Sequence, residues 1–321
     1  MFRNQLGNFI WFYHRQKWML KLPMAYFRNI LNKSNNSFDR PIFMVGLQGA
    51  GETLLSRVIK KSSNIVGVSG NSQYWFGPDE MHTVMGPILP ACFTGQLHKV
   101  PRMDLYGRRR GWAYASNDLI KYYKFGANQI QPSDIKQFKF ALQIIQSFNP
   151  NGRIFDKSQS YALKIPAIRE ALKDSNPKFI AVIRNPYVSI FRAATRTTHL
   201  SKENMTLDKK IEVATQHWNN TVSCIKEAYE VNQDDILLLR IEDILINFNK
   251  HIEKIYDFLE LDFKMEFLPN ENNGMPWWSH RRERWYPVFR DTNQKYLDII
   301  PPHIVEKISL EIKSNADWLG Y

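Results

Sequence analysis

Between Pro41 and Arg57 the chain reads Pro-Ile-Phe-Met-Val-Gly-Leu-Gln-Gly-Ala-Gly-Glu-Thr-Leu-Leu-Ser-Arg. The apolar run Ile42 to Val45 suits a short buried strand. Gly46, Gly49 and Gly51 then permit a tight turn, and from Glu52 to Lys61 the apolar residues recur at helical spacing. Strand, glycine turn and helix start together aim backbone N–H groups and the positive end of a helix dipole at one point, so the stretch predicts an anion cradle. The spacing from Gly46 to Gly51 fits the Walker pattern with Thr53 at the hydroxyl position, but Glu52 stands where that pattern has lysine. A carboxylate there repels a triphosphate, which argues against an ordinary nucleoside triphosphatase.

Further apolar runs follow at Ile65 to Val68, Lys178 to Ile183 and Ile236 to Ile241, with a shorter one at Arg153 to Asp156. Between and beyond them lie segments of helical periodicity: 134–148, 162–173, 187–197, 207–230, 243–260 and 302–315. Strands alternating with amphipathic helices predict an α/β fold of three layers, P-loop-like, with a central parallel sheet flanked by helices. The polar stretch Lys33 to Ser37 divides a basic, aromatic N-terminal segment, residues 1–37, from a main domain over 38–321. Trp11, Phe12, Trp18, Leu22 and Phe27 form one stripe of that segment. The stripe suits packing on the main domain first, and peripheral contact with an anionic membrane second.

The chain has 321 residues and a net charge of +12, which favours an anionic partner. Cys92 and Cys224 are its two cysteines, too few for a disulfide framework, and no spacing suggests a metal site. Without a signal-like or membrane-spanning apolar run, a reducing, cytoplasmic setting is expected, with peripheral membrane association through residues 1–37 left open. Nucleic acid is a poor fit, because charge alone favours it and no motif does. Residues 70–116 read as a long irregular loop rich in Trp75, Phe76, Tyr106 and Trp112 with Arg108 to Arg110, suited to an acceptor lid.

In a parallel sheet, ligands bind at the carboxyl ends of the strands. Three such ends carry polar groups: the glycine turn to Thr53; Asp156, Lys157 and Ser158; and Arg184, with Arg192 and Arg196 along the next helix. If those strands are neighbours, the groups converge on a cleft for a ligand with two separated anionic groups.

The pattern from Pro41 to Tyr321 resembles the sulfotransferases that use 3′-phosphoadenosine 5′-phosphosulfate (PAPS). Pro41 to Leu55 looks like their 5′-phosphosulfate loop, Asp156-Lys157-Ser158 like the acidic-Lys-Ser/Thr piece of bacterial and Golgi-type members, and Phe179 to Pro186 like the strand and turn whose arginine meets the 3′-phosphate. Ile241 to Leu245, Phe258 to Leu261 and Leu319 to Tyr321 also match family segments. The resemblance implies PAPS as co-substrate, without metal, held by Gln48, Gly49, Ala50, Gly51, Glu52, Thr53, Leu54, Arg184 and Arg192. It implies transfer of a sulfuryl group to a hydroxyl or amine, with a glycan or glycolipid as the expected acceptor. The loop departs from the family in having Gly49 where a basic residue is usual and Glu52 where threonine is. Lys157 is the expected replacement cation, with Lys164 second; His82 or Glu80 is the expected base, ahead of His199 and His217. Arg281, Arg282 and Arg284 resemble a basic loop over the 3′-phosphate. A degenerate member that binds a nucleotide or polyanion without turnover is the competing expectation, and a kinase or NTPase the third.

Overall fold

Apolar β-prone runs bury themselves side by side. The computed structural model describes residues 38–68, 80–94, 113–147, 149–197, 200, 204–270, 276–278, 281–284 and 293–321. The chain enters β1 (Ile42–Gly46), turns into α1 (Glu52–Ile59) and returns through a two-residue β2 (Ile65–Val66). After α2 (Met81–Val84), α3 (Ile120–Tyr123) and α4 (Pro132–Gln146) come β3 (Arg153–Asp156), α5 (Ile165–Ala171) and β4 (Lys178–Ile183). Then follow α6 (Pro186–Arg192), α7 (Leu207–Val231), β5 (Ile236–Arg240), α8 (Ile241–Ile246) and α9 (Phe248–Leu259). A hairpin of β6 (Pro276–Trp278) and β7 (Arg281–Arg284) precedes α10 (Gln294–Leu297) and α11 (Pro302–Leu319).

The five strands β2-β3-β1-β4-β5 form one all-parallel sheet with helices around it, as the alternating pattern predicts. β1 is the central strand, and Ile42, Phe43, Met44 and Val45 are all fully buried. Side chains of that size contribute ~1.5–3 kcal/mol each when taken from water. Phe43 joins the aromatic packing of the core, its ring 5.8 Å from Phe179 on β4 and 6.4 Å from Phe138 on α4. Helix α7 starts where the Thr206 side chain accepts from the Lys209 N–H and buries Ile211, Ala214, Trp218, Val222 and Ile225 along one stripe, the 3.6-residue repeat of an amphipathic helix.

The structure shifts several expected boundaries. β2 ends at Val66 rather than Val68. The expected helix 243–260 is two helices broken at Asn247, whose non-helical backbone (φ −135°, ψ 62°) starts a new one. The stretch 187–197 is an α-helix to Arg192 and a π-type turn over Ala193–Thr197. Residues 80–94, inside the expected irregular loop, hold the short helix α2 and a 3-10 turn at Gly86–Ile88. The expected basic loop near Trp277 contains the β6–β7 pair. Residues 1–37, the aromatics Trp75, Phe76, Tyr106 and Trp112, the cluster Arg108 to Arg110 and His199 lie outside the described residues, and the side chains of Arg196, Arg281, Arg282 and Arg284 lie outside the description too. Among the described residues no helix is long and apolar enough to cross a membrane, and no group of His, Cys, Asp or Glu is placed to hold a metal ion.

Candidate active site

Because β3, β1 and β4 are neighbours in the sheet, their carboxyl ends deliver the glycine turn, Lys157 and Arg184 to the same edge. The turn closes with the Ala50 N–H donating to the Leu47 carbonyl at 3.0 Å, and α1 starts from Gly51. Gly49 and Gly51 have φ of +85° and +94°, the left-handed region that only glycine enters without strain. A Cβ on Gly51 would meet Ile241 at 2.5 Å, and one on Gly49 would meet Arg192 Nη1 at 3.2 Å. The absent side chain at Gly49 thus makes room for a cation from α6. Gln48 and Gly49 are exposed, Gly51 and Thr53 half-buried, and Ala50, Glu52 and Leu54 buried. In the first turn of α1 the Leu54 N–H already donates to the Gly51 carbonyl at 3.0 Å, which leaves the N–H groups of Glu52 and Thr53 as those without an intrahelical carbonyl.

Two guanidinium groups converge on this turn. Arg184 donates from Nη1 to the Gly49 carbonyl at 3.1 Å, and Arg192 donates from Nη1 to the same oxygen at 3.3 Å. Burial, and then the neighbouring charge of Arg192, pull the Arg184 guanidinium down to about 10. That depression is first a desolvation effect, and the second guanidinium beside it adds to it. Arg184 is aimed by a relay of hydrogen bonds: its Nε donates to Asn293 Oδ1 at 2.8 Å, and Asn293 Nδ2 donates to Glu242 Oε1 at 2.5 Å. Glu242 also accepts from the Asn185 N–H and from the Tyr321 hydroxyl, both at 2.8 Å. Glu242 follows the end of β5, a fourth strand end, so four of the five strands contribute to this edge.

The second group gathers at the end of β3. Buried Lys157 donates to Glu80 Oε1 at 3.2 Å, and His82 Nε2 lies 3.7 Å from Glu80 Oε2. Burial opposes the Glu80 charge, but the ammonium of Lys157 and the imidazole of His82 outweigh it and hold the carboxyl down at about 2. His82 Nδ1 shares a 2.6 Å hydrogen bond with Ser160 Oγ. Asp156 and Ser158 act as staples. Asp156 accepts from the Met81 N–H at 2.7 Å and the Ser158 N–H at 3.0 Å, and Ser158 Oγ accepts from the His82 N–H at 3.1 Å. These bonds fix the start of α2 against β3 and so present Glu80 to Lys157.

Glu52 sits between the two groups. It is 3% exposed, and Lys157, Glu80 and Arg192 all act on its charge. Burial, the largest influence, pushes its carboxyl up to about 8 against the pull of Lys157. Burial therefore favours the neutral acid at Glu52, which eases the repulsion its sequence position implies.

Lys164 is not brought to the turn. It donates to the Thr94 carbonyl at 3.1 Å inside a box of Tyr123, Phe125 and Tyr161 rings, and burial lowers its ammonium to about 7. His217 also serves packing, accepting from the Ala115 N–H at 3.2 Å and meeting the Tyr114 ring edge-on at 4.7 Å. Asn293 and the roles of Glu242 and Tyr321 escaped sequence reasoning. A carboxylate two residues past a buried strand was the available signal; its partners, 51 and 79 residues away, were not.

The same architecture occurs in solved structures. The sulfotransferase domain from the curacin biosynthetic pathway superposes with a TM-score of 0.56 at 17% identity, covering 89% of this chain and 99% of its own. The sulfotransferase domain of the Synechococcus PCC 7002 olefin synthase gives 0.55 at 18%, covering 90% and 97%. At these identities they establish the fold. No curated protein matches the sequence significantly. The model of the sulfotransferase family matches residues 41–265, a span that begins just before β1 and carries both arginines, Lys157 and Glu242. The chain belongs to the sulfotransferase family.

Proposed function

We propose that the protein transfers a sulfuryl group from PAPS to a hydroxyl or amine of a glycan or glycolipid. The observation that carries the nucleotide reading is the convergence of Arg184 and Arg192 on the Gly49 carbonyl beside the α1 N-terminus. Two positive groups and a row of N–H donors suit a ligand with separated phosphate groups. Arg184 would meet the 3′-phosphate, and the turn from Gln48 to Leu54 the 5′-phosphosulfate. Arg192, which reaches Gly49, supplies a cation on the loop side; Lys157, held by Glu80 at the end of β3, supplies charge toward the acceptor. PAPS brings the activated sulfuryl group, and the protein's part is positioning and charge stabilisation.

His82 is the base in this reading. Its Nε2 is 3.7 Å from Glu80, beyond direct hydrogen-bond reach, and Nδ1 is held by Ser160 Oγ, so as the neutral imidazole it can take the acceptor proton at Nε2. Glu80 itself, held at about 2, is a poor proton acceptor. The acceptor class rests on the aromatic composition of residues 70–116, whose flat side chains suit sugar rings. Peripheral membrane contact through residues 1–37 belongs to the same proposal, since a glycolipid acceptor would lie at a surface.

Incubation with radiolabelled PAPS and a panel of glycans, glycolipids and peptides tests the reading. Label on a glycan or glycolipid is the expected result, and label confined to peptides would overturn the acceptor class. Tight binding of the desulfated nucleotide (adenosine 3′,5′-bisphosphate, PAP) with no product would favour a binding protein without turnover, a reading that the missing basic side chain at Gly49 supports. Binding of neither nucleotide would overturn both.

A further inference from the structure

Glu52 is the feature of the site that this function leaves unexplained. It occupies the first position of α1, directly after the glycine turn, yet it is 97% removed from solvent and makes no ion pair among the described residues. Its own backbone N–H leans on the carboxyl, while Oε1 is buried and has no hydrogen-bond partner among the described residues. A buried carboxylate oxygen bonded to nothing is costly, and a helix start facing an anion is where a donor, not an acceptor, is needed.

We propose that Glu52 acts as a neutral carboxylic acid whose O–H is donated to the anionic ligand of the glycine turn, so that ligand binding and protonation of Glu52 are linked. The inference rests on the nucleotide reading above. The groups that act on Glu52 set its balance: Lys157 at the end of β3 and Arg192 on α6 favour the anion, Glu80 before α2 disfavours it, and the Tyr114 hydroxyl, which donates to the Gly46 carbonyl at 3.4 Å, is close enough to feel its charge. Lys157 is bonded to Glu80 rather than to Glu52, which leaves burial to dominate. A protonated acid offers a hydroxyl donor at the start of α1, and a deprotonated one repels the phosphate. The state that binds is then the fraction of protein with Glu52 protonated, and apparent affinity falls as that fraction does.

The test is PAP binding by the full chain, measured calorimetrically from pH 6.5 to 9.5, for wild type, Glu52→Gln and Glu52→Thr. Both variants keep a non-titrating donor. Wild-type affinity should fall about tenfold between pH 7 and pH 9, following the protonated fraction of a group near 8. Both variants should show a flat profile relative to that fall. Wild-type binding should also take up a proton near pH 8, read from the dependence of the heat on buffer ionisation enthalpy; this arm needs no variant to fold. A variant profile that falls in parallel with wild type, or binding without proton uptake, overturns the inference and leaves the nucleotide site standing. No PAP binding at any pH overturns the site reading, and the inference with it.

Discussion

Keeping Glu52 protonated has a cost for folding that the same substitution exposes. In the unfolded chain the carboxyl titrates near its ordinary 4.5, whereas in the fold burial holds it near 8. Because the folded pKa is raised, the folded state holds a proton that the unfolded state has released throughout that window. The contribution of Glu52 to stability is therefore fully present below pH 4.5 and is lost progressively as pH rises to about 8. Each pH unit inside the window is worth about 1.4 kcal/mol, so the loss is on the order of 3 kcal/mol by pH 7 and 5 kcal/mol by pH 8. Glu52→Gln has no proton to release. Its stability relative to wild type should thus rise steadily from pH 5 to pH 8 and level off above. Urea unfolding of both proteins in steps of half a pH unit measures the difference, and subtraction removes every other titrating group. A difference that stays constant within about 0.5 kcal/mol across the window, the scatter expected of an unlinked substitution, would refute the assignment of Glu52 as a buried neutral acid.

Three further outcomes are expected. Arg184→Ala should weaken PAP binding by at least about 1.5 kcal/mol, the lower range for a charge-assisted bond; unchanged affinity in a titration would refute its role at the phosphate. His82→Asn should lower turnover with the best acceptor by about 10²–10⁴-fold while leaving PAP affinity within a few fold, and wild-type turnover in the variant would move the base elsewhere. Tyr321→Phe removes one donor from Glu242 and should cost about 0.5–1.5 kcal/mol in thermal or urea unfolding, with PAP binding weakened less than by Arg184→Ala. Unaltered stability and affinity would show that Asn293 and Asn185 hold Glu242 unaided.

Strands β1, β4 and β5 were legible because each is an apolar run with few alternatives, and burial on both faces of a parallel sheet demands such runs. Their parallel pairing followed from the intervening helices. Adjacency did not: nothing local in Arg153 to Asp156 says that it lies between β2 and β1. The helix break at Asn247 was hidden because apolar spacing continues through Phe248, and backbone conformation, not periodicity, creates it. At the site, Arg184 and the glycine turn were visible as strand ends. The use of Arg192 at Gly49 was not, since it depends on a 3.3 Å hydrogen bond between residues 143 positions apart, beside a position with no side chain to crowd it. Glu52 looked like an obstacle because sequence supplies the charge of an isolated carboxylate, whereas the fold supplies its burial.

The central position of β1 bears on how this chain is made. Phe43 pairs with Asp156 on one side and Phe179 on the other, so the first strand of the sheet has neither neighbour when it is synthesised. Its second partner emerges roughly 140 residues later, and at ~5–20 residues per second that wait is roughly 7–30 s. Throughout it, Ile42 to Val45 is an uncovered apolar strand with unpaired edges, a template for aggregation in a crowded cell. Ribosome-associated chaperones that shield such runs are therefore expected to raise the yield of this protein.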